Sequence, residues 1–134
     1  MIFKNAIIQQ TSIPYASKGL DAQALRGKAV ANNMANVTTP GYQRLEVEFE
    51  SLLRKHLDEN QVKVPPVMGE LPKVYSLPEP QVHRSNDPVL PGEINNVDVD
   101  LEMANLAETQ LAYMADVKMI KDRMTDITSA IRGR

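Results

Sequence analysis

The stretch "MANLAETQLAYMADVKMIKDRMTDITSAI", residues 103–131, carries the clearest structural signal in the sequence. Apolar residues recur in it at alternating steps of three and four positions, which is the spacing of a coiled-coil seam sustained over four heptads. No glycine or proline interrupts residues 101–132. We therefore predict one long helix there, in which Gln110 is the one polar position of the seam. The apolar seam positions are Met103, Leu106, Tyr113, Val117, Ile120, Met124, Ile127 and Ile131.

The first half of this helix has a second apolar row beside the seam. A wider apolar face predicts contact with more than one neighbour in that half. Acidic residues suit the start of the helix, where exposed amides and the helix dipole favour anions, and basic residues suit its end. The second row consists of Ala104, Ala107, Leu111 and Met114, the acidic residues are Asp98, Asp100 and Glu102, and the basic ones are Arg132 and Arg134.

A second helix is predicted near the N-terminus. Ser12 can cap its start, and Pro14 is tolerated in its first turn. It should end by Asn36 or Val37, because Pro40 disfavours helix just before it. Small side chains cover much of its circumference and allow a neighbouring helix to approach closely. Its seam is predicted at Leu20, Ala24 and Gly27.

The sequence between the two helices has a different character. Leu45, Val47 and Phe49 alternate with polar residues, so residues 45–57 either begin as a strand or form a short helix. Seven of the nine prolines lie between positions 65 and 91. This density excludes a long helix and removes hydrogen-bond donors from any central strand. We predict that roughly residues 58–96 form an extended, irregular arm with little β structure and room for one short hairpin.

Composition argues against most catalytic and ligand-binding classes. The formal charge is −2 and no basic cluster is present, so nucleic acid is not an expected partner. There are no cysteines to form disulfides or thiolate metal sites, and neither His56 nor His83 has metal-ligand spacing around it. No phosphate-binding loop, catalytic triad or paired-carboxylate arrangement is found. We therefore predict no enzyme, no metal and no cofactor.

The apolar content is weak for a single domain of 134 residues. There is no Trp and only two Phe, while Ala and Met supply much of the remainder. Small cores stabilise a fold by only a few kcal/mol. We expect the terminal helices to be incomplete without partners, and an isolated monomer to be partly unfolded at its termini. No run approaches the roughly 18 apolar residues that span a bilayer, and the N-terminus does not resemble a cleavable signal.

The segment "ANNMANVTTPGYQR", residues 31–44, is unusually rich in turn-forming and amide side chains. Pro-Gly favours a type II turn, and Asn and Thr side chains can bond the backbone at a helix end. This explains the residue types, but not why three asparagines share the last helical turn; hydrogen bonds to an adjoining chain would explain them. The residues singled out are Ala31, Asn32, Asn33, Met34, Ala35, Asn36, Thr39, Pro40, Gly41, Tyr42 and Arg44.

This segment resembles the N-terminal signature of the bacterial flagellar rod, hook and axial protein family. The signature is Ala-Asn-Asn-(Ile/Leu)-Ala-Asn followed by Thr-Pro-Gly-Tyr and a basic residue, and Met34 replaces the usual branched aliphatic. The preceding "LDAQALRGKAV" and the long terminal helix are similar to the same family, in which both chain ends pair as helices. The ending, residues 95–131, resembles the B-type proximal-rod members. The Arg-x-Tyr-x-Ala-Asn run usual in C-type members is absent.

The resemblance implies a structural subunit of the flagellar basal body without catalytic activity. Such a subunit is exported by the flagellar type III system without a cleaved signal. It polymerises with itself and other rod proteins into a periplasmic shaft that transmits torque and links the MS-ring adaptor and export gate to the distal rod. The rival interpretations are a C-type rod protein and a free-standing coiled-coil binding module or export chaperone.

The predicted fold is mainly α. We expect residues near 13–36 and 101–132 to pack as an antiparallel coiled-coil pair joined by the proline-rich arm. The corresponding segments are an N-terminal helix and turn (1–44), the arm (45–96) and a C-terminal helix (97–134).

Overall fold

The computed structural model describes residues 12–59, 77–89, 92 and 94–133. Within these ranges the chain forms three helices and two short strands. The two long helices pack against each other, which confirms the predicted pairing of the terminal segments. The elements are α1 (Ile13–Ala35), β1 (Leu45–Glu48), α2 (Glu50–Glu59), β2 (Gln81–Arg84) and α3 (Val99–Arg132).

Helix α3 has 34 residues and is therefore about 50 Å long at 1.5 Å per residue. Asp98 caps it, because its carboxylate accepts hydrogen bonds from the amides of Asp100 at 2.9 Å and Leu101 at 3.2 Å. At the other end Gly133 adopts the left-handed conformation and its amide bonds the Ser129 carbonyl at 2.9 Å. The predicted long helix is confirmed.

Helix α1 ends where Pro40 predicts it should, with the amide of Asn36 bonded to the carbonyls of Asn32 and Asn33. At its start Pro14 lies in the first turn, as expected. The predicted cap by the Ser12 side chain is wrong: Ser12 has a helical backbone, not the extended one from which a capping oxygen reaches the first amides. Its Oγ has no hydrogen-bond partner.

The two long helices run in opposite directions with a constant register. A Cβ atom added at Gly19 would lie 2.7 Å from Oδ2 of Asp116, so the helices approach closely at this glycine. Towards the other end of the pair, Asn33 of α1 faces the Glu102 carboxyl of α3. The order of the two contacts is reversed between the helices, and fourteen residues separate them on each, so the pair is antiparallel.

The faces that the helices bury against each other lie one residue away from the predicted apolar stripes. Glu102 and Thr109 are the buried residues of α3, and they precede Met103 and Gln110 of the predicted seam. One residue is a rotation of about 100° on a helix. Apart from Val30, the fully buried side chains of the pair are therefore small or polar. On α1 the buried residues are Ala16, Ala22, Gln23, Ala29, Val30 and Asn33.

Few apolar side chains are buried among the described residues. Apart from those of α1, only Phe49 and Val97 are fully buried. A core of this size agrees with the weak apolar content of the sequence, because small domains have little apolar area to bury. None of the helices in the described ranges is long and apolar enough to cross a membrane.

The segment after the turn forms a strand and then a helix, so both alternatives for residues 45–57 occur in succession. Strand β1 pairs antiparallel with β2, with Leu45 opposite Arg84 and Glu48 opposite Gln81. The predicted extended arm is not confirmed: residues 60–76 lie outside the described ranges, and β2 returns to the base of the helical pair. Pro80 directly precedes β2, a position at which a strand tolerates proline, and Pro88 follows four residues after its end.

Candidate functional site

The turn predicted from Pro40 and Gly41 is present and is tied to the start of α3. The amide of Tyr42 bonds the Thr39 carbonyl at 3.3 Å, and Gly41 has a φ of +72°, as the third residue of a type II turn requires. The Gly41 amide also donates to the Ile94 carbonyl at 2.9 Å. The chain leaving α1 is thereby joined to the chain entering α3.

Asn33 is the central residue of this region and is only 1% exposed. Its amide group donates to the Leu45 carbonyl at 3.0 Å, and its Oδ1 accepts from the Leu45 amide at 2.8 Å. The Tyr42 hydroxyl donates to the same Oδ1 at 3.1 Å. Asn33 therefore pairs with the backbone of β1 as a neighbouring strand would, and its bonds lie within its own chain instead of reaching an adjoining one.

The two other asparagines of the motif differ in their surroundings. The Asn36 amide group bonds the Asn32 carbonyl at 2.8 Å, and its Oδ1 accepts from the Thr39 hydroxyl at 3.2 Å. Asn36 thus closes the helix end within the chain. Asn32 is exposed. A bond to an adjoining chain stays a prediction for Asn32.

Two buried asparagines before α3 were missed in the sequence. The Asn95 side chain donates to the carbonyls of Asn36, Val37 and Thr39 at 3.2, 2.7 and 3.1 Å. The neighbouring Asn96 accepts from the Arg44 amide at 2.8 Å and donates to the Asp87 carbonyl at 3.1 Å. One signal in the sequence could have indicated them. Asn95 and Asn96 form a pair shortly before the helix cap at Asp98, as Asn32 and Asn33 form a pair near the end of α1.

Arg44 is a buried cation shared by three carboxylates. Its Nη2 donates to Glu46 and, at 2.9 Å, to Asp87, while its Nη1 lies 3.7 Å from Oε1 of Glu102. Glu102 is 1% exposed and its Oε2 has no hydrogen-bond donor. The sequence placed Glu102 at the helix start as a partner of the helix dipole; the structure buries it against Arg44 instead.

Burial raises the pKa of Glu102 above its ordinary value, while the nearby Asn33 and Arg44 act in the opposite direction. Desolvation disfavours the charged form of a carboxyl, and a single shared arginine does not fully compensate it. Burial also raises the pKa of the Tyr42 hydroxyl, with the Glu102 charge as the next cause. We call this group of Asn33, Arg44, Asn95, Asn96 and Glu102 the polar junction.

The other motif residues lie around the polar junction. Met34 and Tyr42 are half-buried and Arg44 is buried, whereas Ala31, Ala35, Thr39, Pro40 and Gly41 are exposed.

The predicted seam residues are not enclosed within the chain. Leu20, Gly27, Leu106, Ile120 and Ile127 are half-buried; Ala24, Met103, Tyr113, Val117, Met124 and Ile131 are exposed.

No catalytic or metal-binding constellation emerges in the described part of the chain. Nε2 of His83 lies 3.4 Å from a carboxylate oxygen of Glu46 at the sheet. No group of three or more His, Cys, Asp or Glu side chains in the described ranges is placed to hold a metal ion. The hydrogen bonds and ion pairs of the polar junction connect α1, the turn, the sheet and α3.

Two family models match this chain at the two helices. The model described as "Flagella basal body rod protein" covers residues 14–43, and "Flagellar basal body rod FlgEFG protein C-terminal" covers residues 92–128. Among curated relatives, the flagellar basal body rod protein FlgB of Borrelia hermsii is 32% identical over 79% of this chain and 84% of its own length. The chain belongs to the FlgB family of flagellar basal body rod proteins.

Other FlgB proteins match over nearly the whole chain. Those of Bacillus subtilis and Salmonella typhimurium are 27% and 26% identical, and each match covers 91% of this chain and 94% of the relative. The family consists of structural proteins of the flagellar basal body, not enzymes, which agrees with the prediction from the sequence. The first family model ends just after the Pro-Gly turn, so the match includes most of the turn motif.

Replacing Gly41 with valine is expected to abolish assembly while leaving synthesis of the chain unchanged. A Cβ at this position would meet no atom within 4 Å, so the cost comes from the positive φ alone, about 1–3 kcal/mol for a residue that disfavours it. The measurement is swimming in soft agar together with the amount of the chain in purified basal bodies.

Gly41→Asn is the matched control, because asparagine tolerates the left-handed conformation. Gly41→Asn should retain most of the swimming and most of the incorporation into basal bodies that Gly41→Val loses. Equal defects in both variants would show that the backbone angle is not what matters at this position.

Proposed function

We propose that this chain is a subunit of the proximal rod. It polymerises through α1 and α3 into the periplasmic shaft that transmits torque and links the MS-ring and export gate to the distal rod. The family assignment supports the rod itself. The more specific steps are supported by the arrangement of the two long helices.

The observation that carries the proposal is the apolar face that α3 leaves exposed. Leu111 is 69% exposed, Met114 65% and Ile131 79%. Met103, Tyr113, Val117 and Met124 of the predicted seam are exposed on the same helix. A row of large apolar side chains on a surface marks a site of protein contact. Copies of the same chain and other rod proteins are the proposed partners for this face.

The contact inside the chain explains why such partners are needed. Apart from Val30, its fully buried side chains are alanines and polar residues, and Gly19 adds no side chain. The contact therefore buries little apolar area and stabilises the pair only weakly. The predicted seam of α3, together with Leu111 and Met114, lies beside this contact and is available to a neighbour. We call this surface the apolar stripe. Assembly would then supply the apolar burial that the single chain lacks, and the free chain would be marginally stable.

The antiparallel pair also suits the transmission of torque. Helix α3, about 50 Å long, gives each subunit an extended contact along the rod, so the load is spread over many side chains. Head-to-tail contacts join two different surfaces of identical subunits, and they propagate into a filament when the rotation between subunits does not close a ring. We also propose that the chain is exported by the flagellar type III system and contacts the MS-ring adaptor and export gate. The exposed Asn32 is proposed to bond a neighbouring subunit.

Aspartate at Ile120 or Ile127 is expected to remove the chain from the rod. Both residues are half-buried in the apolar stripe, and a carboxylate there would have to be desolvated at a subunit contact. The measurement is swimming together with the amount of chain found in basal bodies and in whole cells. We expect non-motile cells that contain the chain but do not incorporate it.

Ala115→Asp is the control, because it adds the same charge at an exposed position of α3 outside the stripe. Motile cells with either stripe variant would overturn the proposed role of the stripe.

Sedimentation of the dilute wild-type chain distinguishes the rod subunit from the rival interpretation, because a free-standing coiled-coil module should form a stable, discrete dimer.

A further inference from the structure

The charges of α3 are separated along its length. Between Asp98 and Asp116 the sequence has five carboxylates and no basic residue. From residue 117 to 134 it has five basic residues and two acidic ones. The helix is therefore negative in the half that contacts the polar junction and positive in the half that leads to its C-terminus. The negative charges near the N-terminus and the positive charges near the C-terminus also interact favourably with the helix dipole.

The negative half forms one wall of an open groove. The groove has a volume of about 850 Å³ and lies between the helical pair and the β1–α2 segment. Five carboxylates line it, and its only arginines are Arg26 and Arg44. The carboxylates are Glu46, Glu48, Glu50, Glu102 and Glu108.

The two arginines in the groove cannot neutralise all five carboxylates. Arg26 is committed to Glu50, at 2.7 Å between Nη1 and Oε1. Arg44 is shared among Glu46, Glu102 and Asp87. No described basic side chain pairs with Glu48 or Glu108. The buried Oε2 of Glu102, which lacks a hydrogen-bond donor, belongs to the wall of the same groove.

The positive half of α3 holds basic side chains that no described residue neutralises. Lys118 and Arg123 form ion pairs with Asp122 and Asp126 on the helix itself, at 3.0 and 3.5 Å. The side chains of Lys121 and Arg132 pair with no described residue; both line the same shallow hollow on α3. Arg132 is 24 residues from Glu108, which is roughly 36 Å along a straight helix. One chain therefore cannot bring this end into its own groove.

We propose that the acidic groove receives the basic C-terminal end of α3 from a second copy of this chain. The inference rests on the proposed function as a rod subunit, and it names the polar surfaces that meet. The apolar stripe supplies burial, whereas the paired charges fix the axial offset between subunits and disfavour other offsets. Because groove and basic end are different surfaces, the contact is heterologous and propagates.

Cysteine cross-linking tests this contact directly, because the natural chain has no cysteine. We would express full-length chain carrying Glu108→Cys and Arg132→Cys in cells, oxidise isolated basal bodies and separate the products by size. The two positions are too far apart in one chain for a disulfide, which needs Cα atoms within about 7 Å. A ladder of covalent multimers is expected from the double variant, and none from either single variant or from Lys28→Cys with Arg132→Cys.

Charge reversal provides a second measurement. Glu48→Lys with Glu108→Lys, and Lys121→Glu with Arg132→Glu, should each lower incorporation into basal bodies about tenfold, since attractive pairs become like-charge contacts. The controls are Asp58→Lys and Lys28→Glu, which change charge at exposed positions outside both surfaces. Combining both reversed surfaces in one chain should restore most of the incorporation.

The outcomes separate this inference from the proposed function. If the cysteine variants are incorporated and motile but form no ladder, the groove contact is wrong and the rod function stands. If only the groove variants lose incorporation, the occupant is not this chain, and the inference is again overturned. If the unmodified chain never appears in basal bodies, the proposed function itself fails.

Discussion

Replacing Asn33 with alanine is expected to lower the free energy of unfolding by roughly 3–5 kcal/mol. The substitution removes the partners of the Leu45 amide and carbonyl and of the Tyr42 hydroxyl. A buried polar group left without a partner costs about 1–3 kcal/mol. A loss of this size is a large share of the stability of any small domain. Urea unfolding followed by far-ultraviolet circular dichroism measures it.

Asn32→Ala is the matched control for this experiment. The two asparagines are adjacent on the same helical turn, but Asn32 is exposed, and exposed substitutions usually change stability by less than about 0.5 kcal/mol. Hydrogen exchange at the Leu45 amide adds a local measurement, because Asn33→Ala should remove its protection and Asn32→Ala should not. Similar unfolding curves and similar exchange for both variants would contradict the central role of Asn33.

Replacing Arg44 with glutamine is expected to cost about 3 kcal/mol at neutral pH. Removing one partner of a buried ion pair leaves the other charge desolvated and uncompensated. Three carboxylates depend on Arg44, and Glu102 is the most deeply buried of them. The double variant Arg44→Gln, Glu102→Gln should be more stable than Arg44→Gln alone, because the uncompensated charge is removed with its partner.

The effect of Arg44→Gln should grow with pH. Burial raises the pKa of Glu102 in the folded state above its ordinary value, so the folded chain binds this proton more readily than the unfolded chain. The free energy of unfolding therefore falls as pH rises through the interval between these two pKa values. Arg44 lowers the pKa of Glu102, and its loss widens this interval.

Urea unfolding between about pH 5 and pH 7.5 checks this sign. The deficit of Arg44→Gln relative to the unmodified chain should shrink on acidification, and the double variant should lack the change contributed by Glu102. A deficit that stays constant over this range would mean that lost packing, not the charge of Glu102, determines the cost.

The long helices could be predicted because their signals are local. The heptad spacing after Met103, the absence of Gly and Pro, the cap at Asp98 and the stop before Pro40 all act within a few residues. Each of these features has the same meaning in almost any context. The positions of both helices followed from them, apart from the side chain of Ser12.

The face used within the chain could not be predicted from the same signals. Periodicity ranks positions by hydrophobicity, and it therefore selects the stripe at Met103 over the adjacent row that contains Glu102 and Thr109. That row is buried because Arg44 and Asn33, which come from distant parts of the sequence, lie opposite Glu102. Because this row is polar, its sequence does not identify it as a contact face. It can be buried because its tertiary partners bond its polar groups.

The polar junction and the sheet depend on contacts between residues far apart in the chain. Ser85 donates its amide to the Arg44 carbonyl at 2.7 Å, and the strand register follows from bonds of this kind. The roles of Asn95 and Asn96 likewise depend on backbone groups more than 40 residues away. Local propensity carries no information about such pairings.

The bond from the Gly41 amide to the Ile94 carbonyl has a consequence for how this architecture can change. Together with the bond from the Arg44 amide to Asn96, it places the exit and the return of the intervening segment side by side. Doubling the length of such a closed excursion costs only about 0.6 kcal/mol in chain entropy. Residues can therefore be inserted between β1 and β2 at a small cost in chain entropy, without changing how the two long helices pair.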